Sequence, residues 1–226
     1  MNYEEIIQEL KSSANPKNVA GMARFGINSK NTLGVPVPKL RDLAKKIGKN
    51  HKLAERLWNS KIHEARILAS MIDDSKLVTE KQMNKWVCDF DSWDVCDQTC
   101  MNLFVFTKSA HKKCFEFSKR KEEFVRRTGF TLMACFAVKR KDVKDSYLIK
   151  FFPVIKKYST DERNFVKKAV NWALRQIGKR NIKLNKEAIK VAKKIQKINS
   201  KTAKWIAYDA IKELESVAVQ QRLKNK

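Results

Sequence analysis

Three stretches of this chain lie over one another at fixed steps. FVRRTGFTLMA, from Phe124, aligns with FVKKAVNWALR, from Phe165, at a step of 41 residues. The second aligns with TAKWIAYD, near Thr202, at a step of 34, placing Ala169 over Ala203 and Ala173 over Ala207. A helical unit recurring every ~35–45 residues buries its apolar face by stacking on its copies, as HEAT-type repeats do. The expected fold is therefore all-α, a HEAT-like superhelix (α-solenoid) formed as one domain over residues 1–226. The inner helix of each pair lines a continuous concave wall. If the aligned stretches are inner helices, that wall carries Arg127, Lys168, Arg175 and Lys179 and is basic.

Composition agrees with an all-helical array. Six Gly and four Pro are too few for the turns of a many-stranded sheet, while 43% hydrophobic residues supply a core. The periodicity predicts helices over 2–13, 16–26, 38–48, 51–59, 62–73, 79–90, 92–106, 111–119 and 122–138. Others are expected over 143–157 (cut or kinked at Pro153), 165–180, 184–197 and 200–223, with a turn-rich break at 31–36. Thr79 with Gln82, and Ser159 with Glu162, have the spacing of capping boxes.

The 165–180 helix separates two kinds of residue when wound at about 100° per residue. Val166, Ala169, Val170, Ala173, Leu174 and Ile177 share one face, and Lys168, Trp172, Arg175 and Lys179 share the opposite one. An indole among cations suits an anionic polymer with flat apolar surfaces, which describes nucleic acid. The competing reading is a tryptophan covered by a neighbouring helix and surrounded by solvated lysines.

Charge points the same way. Lys and Arg number 49 against 24 Asp and Glu, a net charge of +25 whose self-repulsion opposes compactness and so calls for a use. Nucleic acid is the leading partner and an anionic membrane surface the second; a lysine-rich proteome is the uninformative alternative. The N-terminal MNYEEIIQEL is acidic and amphipathic, unlike a secretory leader, and no apolar run approaches the ~18 residues of a membrane span. Five cysteines without a CxxC pair suggest buried thiols of a cytoplasmic protein, and His51, His63 and His111 lack metal-ligand spacing. No metal or cofactor is expected.

Within DFDSWDVCDQTC, Trp93 and Asp97 stand four apart, one above the other on a helix. The rest of that helix is largely apolar, so Asp97 is either paired or used; alternatively it is a first-turn acid favoured by the positive helix end. Asp91 and Asp94 fit that end role more easily. Arg127 lies opposite the apolar stripe of its own helix, where its planar fork suits a phosphate or a carboxylate such as Asp97, or it is a surface cation.

MARFGI with GVPVPKLRDLAK, SWDVCD, VRRTGF and FVKKAVNWALR together span nearly the whole chain. In that order they resemble the DNA alkylation repair family of HEAT-like-repeat glycosylases, the AlkD-like proteins. The resemblance implies a monomeric base-excision enzyme that embraces double-stranded DNA and removes positively charged N3- or N7-alkylated purines. Its pocket residues match Trp93, Asp97, Arg127 and Trp172, with Arg126 as competitor to Arg127. The expected roles are charge stabilisation and water positioning for Asp97, and cation–π contact for the two indoles. Phosphate contact falls to Arg126 or Arg127, Lys168, Arg175 and Lys179. A non-catalytic binder of damaged or branched DNA on the same basic wall is the alternative, and a HEAT-type protein scaffold a third reading.

Overall fold

The computed structural model describes residues 1–225. These residues are helical throughout, with no strand among those described. The chain separates into two compact units, Met1–Lys108 and Ser109–Lys226.

The first unit holds α1 (Tyr3–Ser12), α2 (Pro16–Arg24), α3 (Val37–Ile47), α4 (His51–Asn59), α5 (His63–Ile72), α6 (Glu80–Cys88) and α7 (Trp93–Asn102). Helix α5 packs between α3 and α7, forming one layer. In the other layer, Trp58 of α4 and Trp86 of α6 stack at 3.8 Å between ring centroids, both buried. Pro16 and Pro38 sit in the first turns of α2 and α3, where a missing N–H costs nothing. Gly48 ends α3 at φ 73°. The 31–36 break is held by Glu64, whose buried carboxylate accepts the backbone N–H groups of Leu33, Gly34 and Val35 at 2.9, 2.6 and 3.2 Å. Only glycine fits at Gly34: its φ is 78°, and an added Cβ would stand 2.3 Å from the Asn15 carbonyl oxygen.

The second unit holds α8 (Ala110–Ser118), α9 (Glu123–Lys139), α10 (Asp145–Ile149), α11 (Phe152–Lys157), α12 (Asn164–Gly178), α13 (Ile182–Gln196), α14 (Lys201–Leu214) and α15 (Val217–Lys224). Helices α9, α12 and α14, which carry the three aligned stretches, lie side by side in one layer; α8, α11 and α13 cover them. Phe124 and Phe165, equivalent at the step of 41, stack their rings at 5.4 Å. The aliphatic stripe of α12 from Val166 to Ile177 is fully buried. At ~25 cal/mol per Å² such burial is the main stabilising contribution of an amphipathic helix.

Four local expectations are corrected. The helix expected over 92–106 stops at Asn102, and Leu103, at φ −130° and ψ −65°, leads into a 3-10 turn at Phe104–Phe106. The helix expected over 200–223 breaks at Glu215, where Ser216 caps α15. Thr79 caps α6, but the Gln82 side chain donates to the buried Asp73 at 2.7 Å instead of closing a box. Ser159 does not cap α12; its hydroxyl donates to the Lys156 carbonyl at 2.8 Å and closes α11. Arg163 stands at the start of α12 without a side-chain cap, and the carboxylate of Glu123, from the preceding repeat, accepts the Phe165 N–H at 3.3 Å. No helix among the described residues is long and apolar enough to cross a membrane.

Candidate nucleic-acid interface

In the first unit, the start of α7 is tied to the loop after α2. Ser92, buried and extended at φ −146°, accepts the Asn28 N–H at 3.0 Å on its hydroxyl. Asn28 in turn donates its side-chain amide to Asp91 at 2.8 Å. The Trp93 indole donates to the Phe25 carbonyl at 3.1 Å, which fixes the plane of a half-buried ring. The MARFGI and SWDVCD stretches therefore meet at one point. Phe25 itself is 74% exposed, an aromatic residue standing in solvent whose carbonyl holds the Trp93 indole. Periodicity gives no warning of it, because it stands at the C-cap of α2, outside any buried stripe.

Asp97, one turn on from Trp93, is 9% exposed. The two neighbouring acids are tied to the first unit by side-chain hydrogen bonds. Asp94 accepts from Nε2 of the buried His63 at 2.8 Å and from the Val95 N–H, and Asp91 holds Asn28. Burial alone would lower the His63 pKa, but the hydrogen bond and charge of Asp94, with Glu64 and Asp91, raise it above the ordinary value.

In the second unit, the two adjacent arginines diverge. Arg126 turns to the loop before α12, donating to Asp161 at 2.8 Å and lying 4.8 Å over the Tyr158 ring. Burial would raise the Asp161 pKa, but Arg163 and Arg126 hold it below the usual carboxylate range. Arg127, 5% exposed, donates to the Phe165 carbonyl at 2.6 Å in the first turn of α12. Of the pair, Arg126 thus fastens a loop, while Arg127 is held against the helix that carries Trp172.

Along α12, Lys168 is exposed and Trp172 half-buried. With the Gln176 amide oxygen turned toward them, Trp172 Nε1 donates at 2.9 Å and Lys179 Nζ at 3.2 Å. Arg175 pairs with Glu213 at 2.6 Å and Asp209 at 3.2 Å, and Lys179 also bonds Glu213. Burial would raise the Glu213 pKa, but Lys179 and Arg175 lower it. The expected phosphate contacts therefore differ in availability. Lys168 is exposed, whereas Arg175 and Lys179 are already engaged by carboxylates of α14. Among the described residues, no three His, Cys, Asp or Glu side chains are grouped to hold a metal ion.

Five tryptophans sort into two classes: Trp58 and Trp86 are core, while Trp93, Trp172 and Trp205 keep exposed surface. Indoles kept at the surface of a strongly basic protein are suited to bases rather than to core packing.

The model of a family described as "DNA alkylation repair enzyme" matches residues 6–214. A solved structure described as "a new family of proteins related to the HEAT-like repeat DNA glycosylases with affinity for branched DNA structures" has a similar fold. Its TM-score is 0.82 at 20% identity, covering 99% of this chain and 96% of the other. A designed armadillo repeat protein gives a TM-score of 0.38 at 14% identity, over 78% of this chain and 92% of its own. Among curated proteins none matches this chain by sequence.

Proposed function

The chain belongs to the DNA alkylation repair enzyme family, and from that premise we propose that it is a glycosylase releasing cationic N3- or N7-alkylpurines from double-stranded DNA. The observation that carries this reading is Asp97: a carboxylate almost withdrawn from water, one helical turn from a fixed, half-buried indole. Alkylation places a formal positive charge on the purine. When the C1′–N bond breaks, its electron pair neutralises the base, which leaves without needing a proton. Positive charge passes to the sugar, where an oxocarbenium-like centre is stabilised by a nearby carboxylate. Asp97 fills that role and positions the water that adds to C1′; the water's proton leaves to the carboxylate or to solvent, and an abasic site remains.

Each half-buried indole, Trp93 in the first unit and Trp172 in the second, is suited to cation–π attraction to a charged base, roughly 0.5–2 kcal/mol per contact, favouring it over an uncharged one. Arg127 takes a backbone phosphate, and Lys168, Arg175 and Lys179 take flanking ones. Release of 7-methylguanine from methylated duplex is the direct test. Asp97→Asn keeps the shape and removes the charge, so it should abolish release and leave binding nearly intact. Undiminished release by this variant removes Asp97 from the mechanism.

A second reading, a non-catalytic binder of branched or damaged DNA, is favoured by the description of the structure sharing this fold. Tight binding to junctions by a wild-type protein that frees no base would establish it in place of the first.

A further inference from the structure

Helix α14 presents Lys201, Lys204, Trp205, Tyr208 and Lys212 away from its buried stripe of Ala203, Ile206, Ala207, Ala210 and Leu214. Trp205 is 41% exposed and Tyr208 64%, three residues apart and hence on one face of the helix. Large aromatics with a whole aliphatic stripe available for burial have no packing reason to stand there. The acids of α14 are engaged elsewhere: Asp209 and Glu213 turn toward α12 and pair with Asn171, Arg175 and Lys179. This separation leaves the outward face of α14 aromatic and cationic only. Lys167 of α12 adds a further charge, its ammonium 5.6 Å from the Trp205 ring. Among the described residues, Lys201, Lys204 and Lys212 form no ion pair.

We propose that this face is a second nucleic-acid site, which takes unpaired bases of single-stranded DNA by stacking them on Trp205 and Tyr208 while the lysines follow the phosphates. Rings at the centre and cations at the margins are the two parts from which strand-binding surfaces are built. A duplex offers such rings no open base face. An anionic membrane would draw on the charge and take the rings by insertion at its interface rather than by base stacking, and the test below separates the two. The site goes beyond base excision and calls on no residue assigned to it.

The test uses the full chain and three fluorescently labelled probes: single-stranded oligothymidylate, a strand of equal length with abasic residues, and a duplex. The Trp205→Ala, Tyr208→Ala double variant should lose affinity for oligothymidylate by roughly tenfold for each stacked base. It should bind the abasic strand and the duplex as wild type does. Trp205→Phe with Tyr208→Phe, which keeps both ring faces, should retain most of the oligothymidylate affinity. Equal losses on all three probes would overturn the proposal and leave simple charge attraction. So would unchanged oligothymidylate binding, or wild-type protein binding the abasic strand as tightly as the thymidine one. Vesicle sedimentation with phosphatidylserine that depended on Trp205 and Tyr208 would reassign the face to a membrane. Release of 7-methylguanine, measured in parallel, reports on the excision reading separately.

Discussion

Gly129→Ala tests the packing on which the second unit rests. In an isolated helix this change is favourable by about 1 kcal/mol, because glycine carries more conformational entropy when unfolded. Here a Cβ at position 129 would meet Ser118 N at 2.4 Å, its Cα at 2.8 Å and its Cβ at 2.9 Å. Ordinary contact lies near 3.5 Å, so the two helices must part by about 1 Å at that point. The obstacle is backbone, at the buried last residue of α8, and cannot rotate aside. Overpacking of this kind costs about 3 kcal/mol, the upper part of the usual range, and outweighs the propensity gain by about 2 kcal/mol. For a chain of this size the midpoint of thermal unfolding falls by roughly 4–8 °C. Two further glycines calibrate the reasoning. At Gly178 a Cβ meets the Leu214 methyls at 2.7 and 2.8 Å, which can rotate, and the fixed Ala188 Cβ at 2.9 Å; with no backbone atom as close as the 2.4 Å contact at position 129, the loss should be smaller. At Gly21, inside α2, nothing lies within 4 Å, and alanine should stabilise by about 0.5–1 kcal/mol. Far-UV circular dichroism on the three variants gives the order. A Gly129→Ala protein as stable as wild type, or less affected than Gly178→Ala, would refute the argument.

The remaining predictions concern charge. Lys168→Ala should reduce the salt slope of duplex binding by about one, whereas Lys179→Ala should reduce it less, because Lys179 starts from an ion pair with Glu213. Glu213→Gln removes the carboxylate shared by Arg175 and Lys179, leaving Arg175 its pair with Asp209, and should tighten duplex binding at low salt; fluorescence anisotropy across a salt series measures all three, and weaker binding by Glu213→Gln contradicts it. His63 and His111 should titrate on opposite sides of the ordinary value of about 6.5. His63 is raised, since Asp94 outweighs burial, so its stabilisation is complete below about pH 6.5 and is lost as pH rises through the folded-state value. His111 is lowered by burial, with Lys150 adding to it, among the rings of Phe115, Phe136, Tyr147 and Phe151. Its contribution is lost as pH falls through about 6.5, when the unfolded chain takes up the proton first. Proton NMR of the two imidazole rings would expose the reverse order directly.

What was legible in the sequence was whatever depends on neighbours within one or two helical turns. The stripe from Val166 to Ile177, the break at Pro153 and the helix end at Gly48 follow from local spacing and are present. The two failed capping boxes share one cause, a partner supplied from beyond the helix end itself. Ser159 has the spacing of a cap for α12, yet Asp161 is drawn to Arg126, 35 residues before it, and Glu123 accepts the Phe165 N–H from 42 residues away. Gln82 turns from its own helix end because Asp73, buried between helices, needs a donor. Burial makes the distant bond worth more than the local one, since an unpaired buried carboxylate is costlier than an uncapped, solvated helix end.

The same rule reshapes the candidate interface. A helical wheel places Lys168, Trp172, Arg175 and Lys179 on one face and treats the cations as equals. The structure divides them through a ladder between α12 and α14, in which residue n meets residue n+38: Lys167 with Trp205, Asn171 with Asp209, Arg175 with Glu213. That offset is the repeat step of 34 plus one helical turn, as expected for parallel neighbours whose facing sides are staggered. The ladder was therefore within reach of the sequence once the step was known, by asking which acids fall four residues beyond the equivalents of cations. Its consequence is that α12 and α14 trade charge. The acids of α14 neutralise part of α12's basic face and leave their own helix outwardly cationic. Positive potential on this unit then depends on two rows with different costs of use: lysines that are already open to phosphate, and cations that must first release a carboxylate.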